Sequence, residues 1–243
     1  EKRDRTTLCE QPLPRGILDP AASSKRIRIW RYTPSAHFRS FVDHHWIAQW
    51  NLQGSAEERQ RVIPSPNAHL VVSLGDTALV GVVRGLEERM LRGRGRAYGM
   101  RFRVGGLRPF LRQPVSSITG RRVSPAILTG CGESELETRV LSKGSHEDMI
   151  RAAETLLEPS LPNPDHTVDF VCSIVAEIRR EGGAARAETL AKEFGISLRA
   201  MQRVFREYVG VSPKWVIQRY RLQDAAYLLA SGHNAQVAEL AAE

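Results

Sequence analysis

Residues Glu188 to Tyr208, ETLAKEFGISLRAMQRVFREY, leave the chain little choice of local fold. Leu190, Ala191 and Phe194 recur at helical spacing, then Gly195 permits a sharp bend and Ile196 plugs it. Ser197 stands where a helix N-cap belongs. In the second helix Ala200, Met201, Val204, Phe205 and Tyr208 share one side, while Arg199, Gln202, Arg203 and Arg206 share the other. A wet helix face usually mixes charge signs, but here Glu207 is displaced to the flank. Arg can fork onto guanine and Gln onto adenine, so the pattern suits a helix that reads a DNA major groove. An ordinary hairpin with a solvated basic face remains the alternative on this pattern alone.

The chain continues with Gly210 at a helix end, Ser212 as another N-cap and Pro213 at the first helical position. The helix from Pro213 to about Ser231 carries two apolar stripes. Trp215, Leu222, Ala226 and Leu229 form one, and Ile217, Tyr220 and Leu228 form the other. A helix apolar on two sides joins two packed units. Beyond Gly232, NAQVAELAAE begins a further amphipathic helix of the same flavour as Leu190–Glu193.

The run from Ser197 to Leu229 resembles the DNA-binding domain of AraC/XylS transcription regulators. Met201, Arg203, Phe205, Gly210, Ser212, Pro213, Trp215, Arg221, Leu222, Ala225, Leu228 and Leu229 carry the resemblance. Trp215 stands where the family usually has Tyr, a conservative packing change. The resemblance implies two helix-turn-helix units joined by the helix from Pro213. It implies base contacts from Arg199, Gln202 and Arg203. Phosphate contacts are expected from Arg206, Lys214 and the helix N-terminus at Ser212. The second unit begins near Asn234 and lacks a recognition helix in this sequence, so one major-groove segment per protomer is expected. A homodimer, a small-molecule effector and contact with RNA polymerase are the further partners the resemblance implies.

Charge agrees with a polyanionic partner. The net charge is +8, and between Arg186 and Arg221 eight basic residues face three acidic ones, a local balance of +5. No apolar run is long enough to span a bilayer, and the start, EKRDRTTLCEQPLPRG, does not read as a signal peptide. The missing initiator Met points to a trimmed N-terminus. Cys9, Cys131 and Cys172 fit no disulfide or metal spacing, which suits a reducing cytoplasm; Cys172 falls in an apolar helical run and is expected in the core.

The expected fold class is α+β: a β-rich, cupin-like barrel or sandwich followed by an all-α helix-turn-helix domain. Residues 1–24 read as a flexible arm, 25–130 as a β-rich candidate sensor domain, 131–163 as a helical linker, and 164–243 as the DNA-binding domain. Strands are expected at Ile27–Trp30, His45–Asn51, His69–Leu74, Ala78–Val83, Met90–Leu91 and Ala97–Val104, with a short helix over Ser35–Val42. The run Arg92–Arg96 reads as a turn. Trp46, Trp50, Met100 and Phe102 are candidates to line a ligand pocket, or else to fill a closed core. Leu136, Val140, Ile150, Ala153 and Leu157 supply either a dimer surface or packing against the barrel.

Catalysis is not expected. His37, His44, His45 and His69 invite a metal reading, but adjacent His44 and His45 on a strand point to opposite faces. No serine elbow, P-loop or dinucleotide fingerprint is present, and no cofactor is implied. A β-barrel that binds a ligand or uses a metal for catalysis, with a helical domain for protein contacts, is the alternative class.

Overall fold

The computed structural model describes residues 7–8, 26–52, 57–181 and 185–230. Nine strands form two sheets among these residues: β1 (Thr7–Leu8), β2 (Ile27–Tyr32), β3 (Val42–Asn51), β4 (Glu58–Val62), β5 (His69–Ser73), β6 (Ala78–Val80), β7 (Glu87–Leu91), β8 (Arg94–Phe102) and β9 (Arg122–Val123). The larger sheet runs in the order β1-β2-β3-β8-β5-β6-β9, and β4 pairs with β7 in the smaller one. All pairings are antiparallel. Helices follow: α1 (Ala126–Thr129), α2 (Glu133–Leu136), α3 (His146–Leu157), α4 (His166–Glu181), α5 (Ala187–Glu193), α6 (Leu198–Val204) and α7 (Pro213–Ala230). The chain is therefore α+β, with a β-rich part preceding a helical one.

Strand alternation decides what each face of the large sheet does. Ile47, Leu70, Val72, Tyr98, Met100 and Phe102 point to one face, where α3 and the turns around it cover them. Leu136, Val140, Ile150, Ala153 and Leu157 are fully buried in that same cluster. They pack on the sheet, so the dimer-surface expectation does not hold for them. The short helix expected over Ser35–Val42 shrinks to one 3-10 turn, Ala36–Phe38, because Phe38 and Phe41 are drawn into the core. Strands β4 and β7 pair over five residues with alternating half-exposed side chains; their charge hid β4 from the hydrophobic pattern. The expected turn at Arg92–Arg96 is confined to Arg92 and Gly93, with φ +54° at Gly93, and β8 already begins at Arg94.

A buried polar network fixes α3 to the sheet. Glu154 Oε1 accepts from Ser35 N–H at 2.9 Å and from His45 Nε2–H at 3.0 Å. His45 Nδ1 is then left to accept the Tyr98 hydroxyl at 2.8 Å. Nearer the surface, the Gln49 amide donates to His146 Nε2 at 3.0 Å, so Nδ1–H of that ring donates to Tyr32 Oη at 2.7 Å.

In the helical part, Asp165 Oδ1 caps α4 by accepting from Thr167 N–H at 2.8 Å. Val168, Val171, Ile174, Val175 and Ile178 are its buried stripe. Cys172 is only half-buried and donates to the Val104 carbonyl at 3.3 Å. Within the arm expected to be without regular structure, Thr7–Leu8 instead pair with Tyr32 and Arg31 as β1; the rest of the arm, with Cys9, and the second unit from Asn234 lie outside the described residues.

Replacing Glu154 by Ala strands the buried His45 donor and the partly buried Ser35 amide without an acceptor. This should cost on the order of 3 kcal/mol. The urea midpoint should fall with the slope unchanged, and a loss under about 0.5 kcal/mol would show that the network is not structural.

Candidate nucleic-acid interface and adjoining cavity

Gly195 takes φ +66° between α5 and α6, and the Ser197 hydroxyl caps α6 by accepting from Ala200 N–H at 3.1 Å. Met201 and Phe205 are fully buried beneath α6, in a cluster shared with Leu190, Ala191 and Val216. The last turn, Phe205–Val209, widens to π geometry before Gly210 ends it at φ +89°. Burying this underside turns Arg199, Gln202, Arg203 and Arg206 outward, and all four are exposed. Lys214 and Ser212 at the start of α7 are exposed as well. The Ser212 hydroxyl accepts from Trp215 N–H at 3.2 Å.

Among the described residues, none of Arg199, Arg203, Arg206 and Lys214 has a carboxylate partner. Glu207, the acid of this segment, is held on the flank by Arg108, whose Nε donates to it at 2.6 Å. The ridge therefore keeps its whole positive charge. Trp215 packs beneath the Arg219 guanidinium at 4.5 Å, which gives the indole a stacking role at that position.

The helical part is docked on the β-rich part. Thr119 Oγ1 donates to the Gly210 carbonyl at 2.8 Å, while within the helical part Tyr208 Oη donates to Asp165 Oδ2 at 2.7 Å. Arg103 pairs with Asp169 at 2.7 Å, Gln223 Nε2 donates to the Ile63 carbonyl at 2.9 Å, and Arg219 donates to the Arg84 carbonyl. Val82 and Val104 from the β-rich part enter the same apolar cluster as Val171, Val209 and Val211. The Tyr208 bond and the Thr167 amide outweigh burial and hold the Asp165 carboxyl below the usual carboxylate range.

Beside this docking surface lies a cavity of about 1030 Å³. Its walls include Ile29, Trp46, Trp50, Val71 and Arg101 of the large sheet, and Val62 and Leu91 of the small one. Arg179 of α4 and Tyr220 and Gln223 of α7 complete it. Of the four residues expected to line a pocket, Trp46 and Trp50 border this cavity, whereas Met100 and Phe102 lie in the core on the opposite face. Register explains the correction: Met100 is the cross-strand partner of His45, and Trp46 is paired with Gly99.

Both indoles lie flat over glycines. A Cβ at Gly99 would come within 1.9 Å of the Trp46 ring, and one at Gly95 within 2.3 Å of Trp50. The spacing Gly95–Gly99 against Trp46–Trp50 was a sequence signal for this wall that hydrophobic patterning does not detect. The four histidines separate: His45 is buried in the core, His44 and His69 border the cavity, and His37 is exposed. Trp46 Nε1–H donates to His69 Nδ1 at 3.3 Å. Burial, with Arg101 nearby, pulls the His69 pKa down to about 3, so the ring is neutral with its proton on Nε2.

An exposed cationic helix seated on a helix-turn-helix frame defines a DNA-binding module. Residues 190–243 match the family model of a helix-turn-helix domain, and residues 30–124 match that of a domain of unknown function (DUF6597). The helix-turn-helix is of the AraC type, which supports a DNA-binding regulator. Its β-rich part followed by this module is consistent with the AraC/XylS family. No curated protein and no solved structure matches the chain. Among the described residues, no helix is long and apolar enough to cross a membrane.

His69 supplies a pH test. The unfolded ring titrates near its ordinary 6.5 and the folded ring at about 3, so the unfolded chain binds this proton first. The stability it contributes is fully present above 6.5 and is lost as pH falls toward 3. The loss should reach about 1.4 kcal/mol per pH unit within that window. Urea midpoints at successive pH values should therefore fall less steeply for His69→Asn than for the unaltered protein; equal slopes would refute the shift.

Proposed function

We propose that this protein is a transcription regulator whose β-rich part senses a small molecule and gates DNA binding by the helical part. Arg199, Gln202 and Arg203 read base edges in a major groove. Arg206, Lys214 and the amides at the Ser212 helix start hold phosphates. The cytoplasm is its place of work. A homodimer and contact with RNA polymerase are the assembly states in which such a regulator acts.

The observation that carries this proposal is the unneutralised ridge. Its exposed guanidiniums stand over a buried Met201–Phe205 underside, and the acid of the helix is engaged elsewhere. Support for the sensing role comes from the cavity of about 1030 Å³, bordered by indole faces and by helices α4 and α7. Cavities near this size accommodate drug-sized molecules.

A duplex selected from a random library by the purified protein provides the test. Arg203→Ala should cost about 1–3 kcal/mol and relax preference at one base pair. Lys214→Ala should instead weaken all sequences alike and lower the log–log salt slope by about 1. If both variants weaken every duplex equally, the division between base and phosphate contacts fails. Binding without a steep dependence on ionic strength would sink the DNA reading altogether.

A further inference from the structure

We propose that the effector is a small organic anion with a flat apolar body, its carboxylate held between Arg101 and Arg179 and its body lying against Trp46 and Tyr220. This deepens the sensing role proposed above and rests on it.

The cavity's polar lining is rich in donors. Arg101 Nη2 donates to Asn67 Oδ1 at 2.7 Å, but its buried Nε has no hydrogen-bond partner. Asp43 is ion-paired with that nitrogen at 3.4 Å but makes no hydrogen bond to it, and the same carboxylate is also engaged by His44 at 3.1 Å. Arg179 lies 5.4 Å over the Tyr220 ring and, among the described residues, has no carboxylate partner. His69 accepts from Trp46 through Nδ1, which leaves its Nε2–H as a further donor. Burial holds the Arg101 guanidinium below its ordinary basicity; Asp43 and Tyr220 offset this only in part, and Arg179 adds a smaller like-charge repulsion that an anion would relieve. A buried donor with no acceptor is costly, so an acceptor-bearing anion is the occupant this wall favours.

The remaining lining selects the body. Trp46 and Trp50 present flat indole surfaces, with Ile29 and Val71 beside them. Flat apolar groups stack on such surfaces at little entropic cost. The two anchoring arginines belong to different parts of the chain: Arg101 to β8, and Arg179 to α4. Tyr220 lies on α7, the helix that follows the cationic ridge. An occupant in this position touches both parts at once, so its binding is coupled to how the helical module is seated.

The test uses the full chain and two dyes that differ by one charge: anilinonaphthalene sulfonate, with the sulfonate standing in for a carboxylate, and uncharged phenylnaphthylamine. The sulfonate dye should bind in a saturable, one-to-one manner. Arg101→Gln and Arg179→Gln should each weaken it about tenfold while leaving the uncharged dye within about twofold. Arg101→Lys should restore part of the loss, and Tyr220→Ala should weaken both dyes. Arg179→Gln guards against misfolding at Arg101, because Arg179 makes no hydrogen bond to the sheet. The bound sulfonate dye should also slow hydrogen exchange along Pro213–Ala230.

If both dyes bind and the Gln variants fail to separate them, the anion selectivity is overturned while the sensing role stands. Binding without protection of Pro213–Ala230 overturns the bridging position. If neither dye binds the folded chain, the sensing role itself falls.

Discussion

The seam where Val82 and Val104 of the β-rich part enter the apolar cluster of the helices is the constraint on which the rest depends. Without it, α4 and α7 would not lie over the large sheet, and the cavity would have no helical side. The polar contacts around the seam are individually modest, since hydrogen bonds in water exchange one partner for another. Together they fix orientation. Arg108 on Glu207 and Thr119 on Gly210 grip the far end of the ridge-bearing segment from the β-rich part, Tyr208 on Asp165 braces it from within the helical part, and its outer face is left untouched. At Gly210 the fit is close enough that a Cβ would approach Thr119 Oγ1 to 2.4 Å.

Electrostatics divides the molecule into two kinds of positive surface. On the ridge, the arginines stand in water and their charge is open to long-range attraction of a polyanion. In the cavity, Arg101 is partly stripped of water beside Asp43 and His44. The same side-chain type thus serves two tasks, and the difference is set by burial.

The helical part was the more legible in sequence, because its signals are local. The Ser197 cap, Gly195 and Gly210 at positive φ, and Pro213 at a helix start each act within one turn of the chain. Fold class was legible too, from short apolar strands punctuated by glycine. The cavity was not. Its walls come from seven strands and two helices, and which residues face it depends on cross-strand register. Choosing Met100 and Phe102 beside Trp46 required them to share a face, and the His45–Met100 pairing rules that out. Strand β4 was missed for a different reason: ERQRV is polar on both faces, and only its partner β7 makes it a strand. The ambiguity over Leu136, Val140 and their neighbours had the same root, since amphipathicity states that a face is covered without naming the cover.

The Trp46–Gly99 and Trp50–Gly95 pairs carry a consequence for how this chain tolerates change. The shape of the hollow is encoded partly by atoms that β8 does not have. A methyl group added at position 99 would lift an indole off its bed, so neighbours on separate strands cannot vary independently. The two strands must drift as a matched set, and a lineage that trades its tryptophans for smaller residues becomes free to lose its glycines as well.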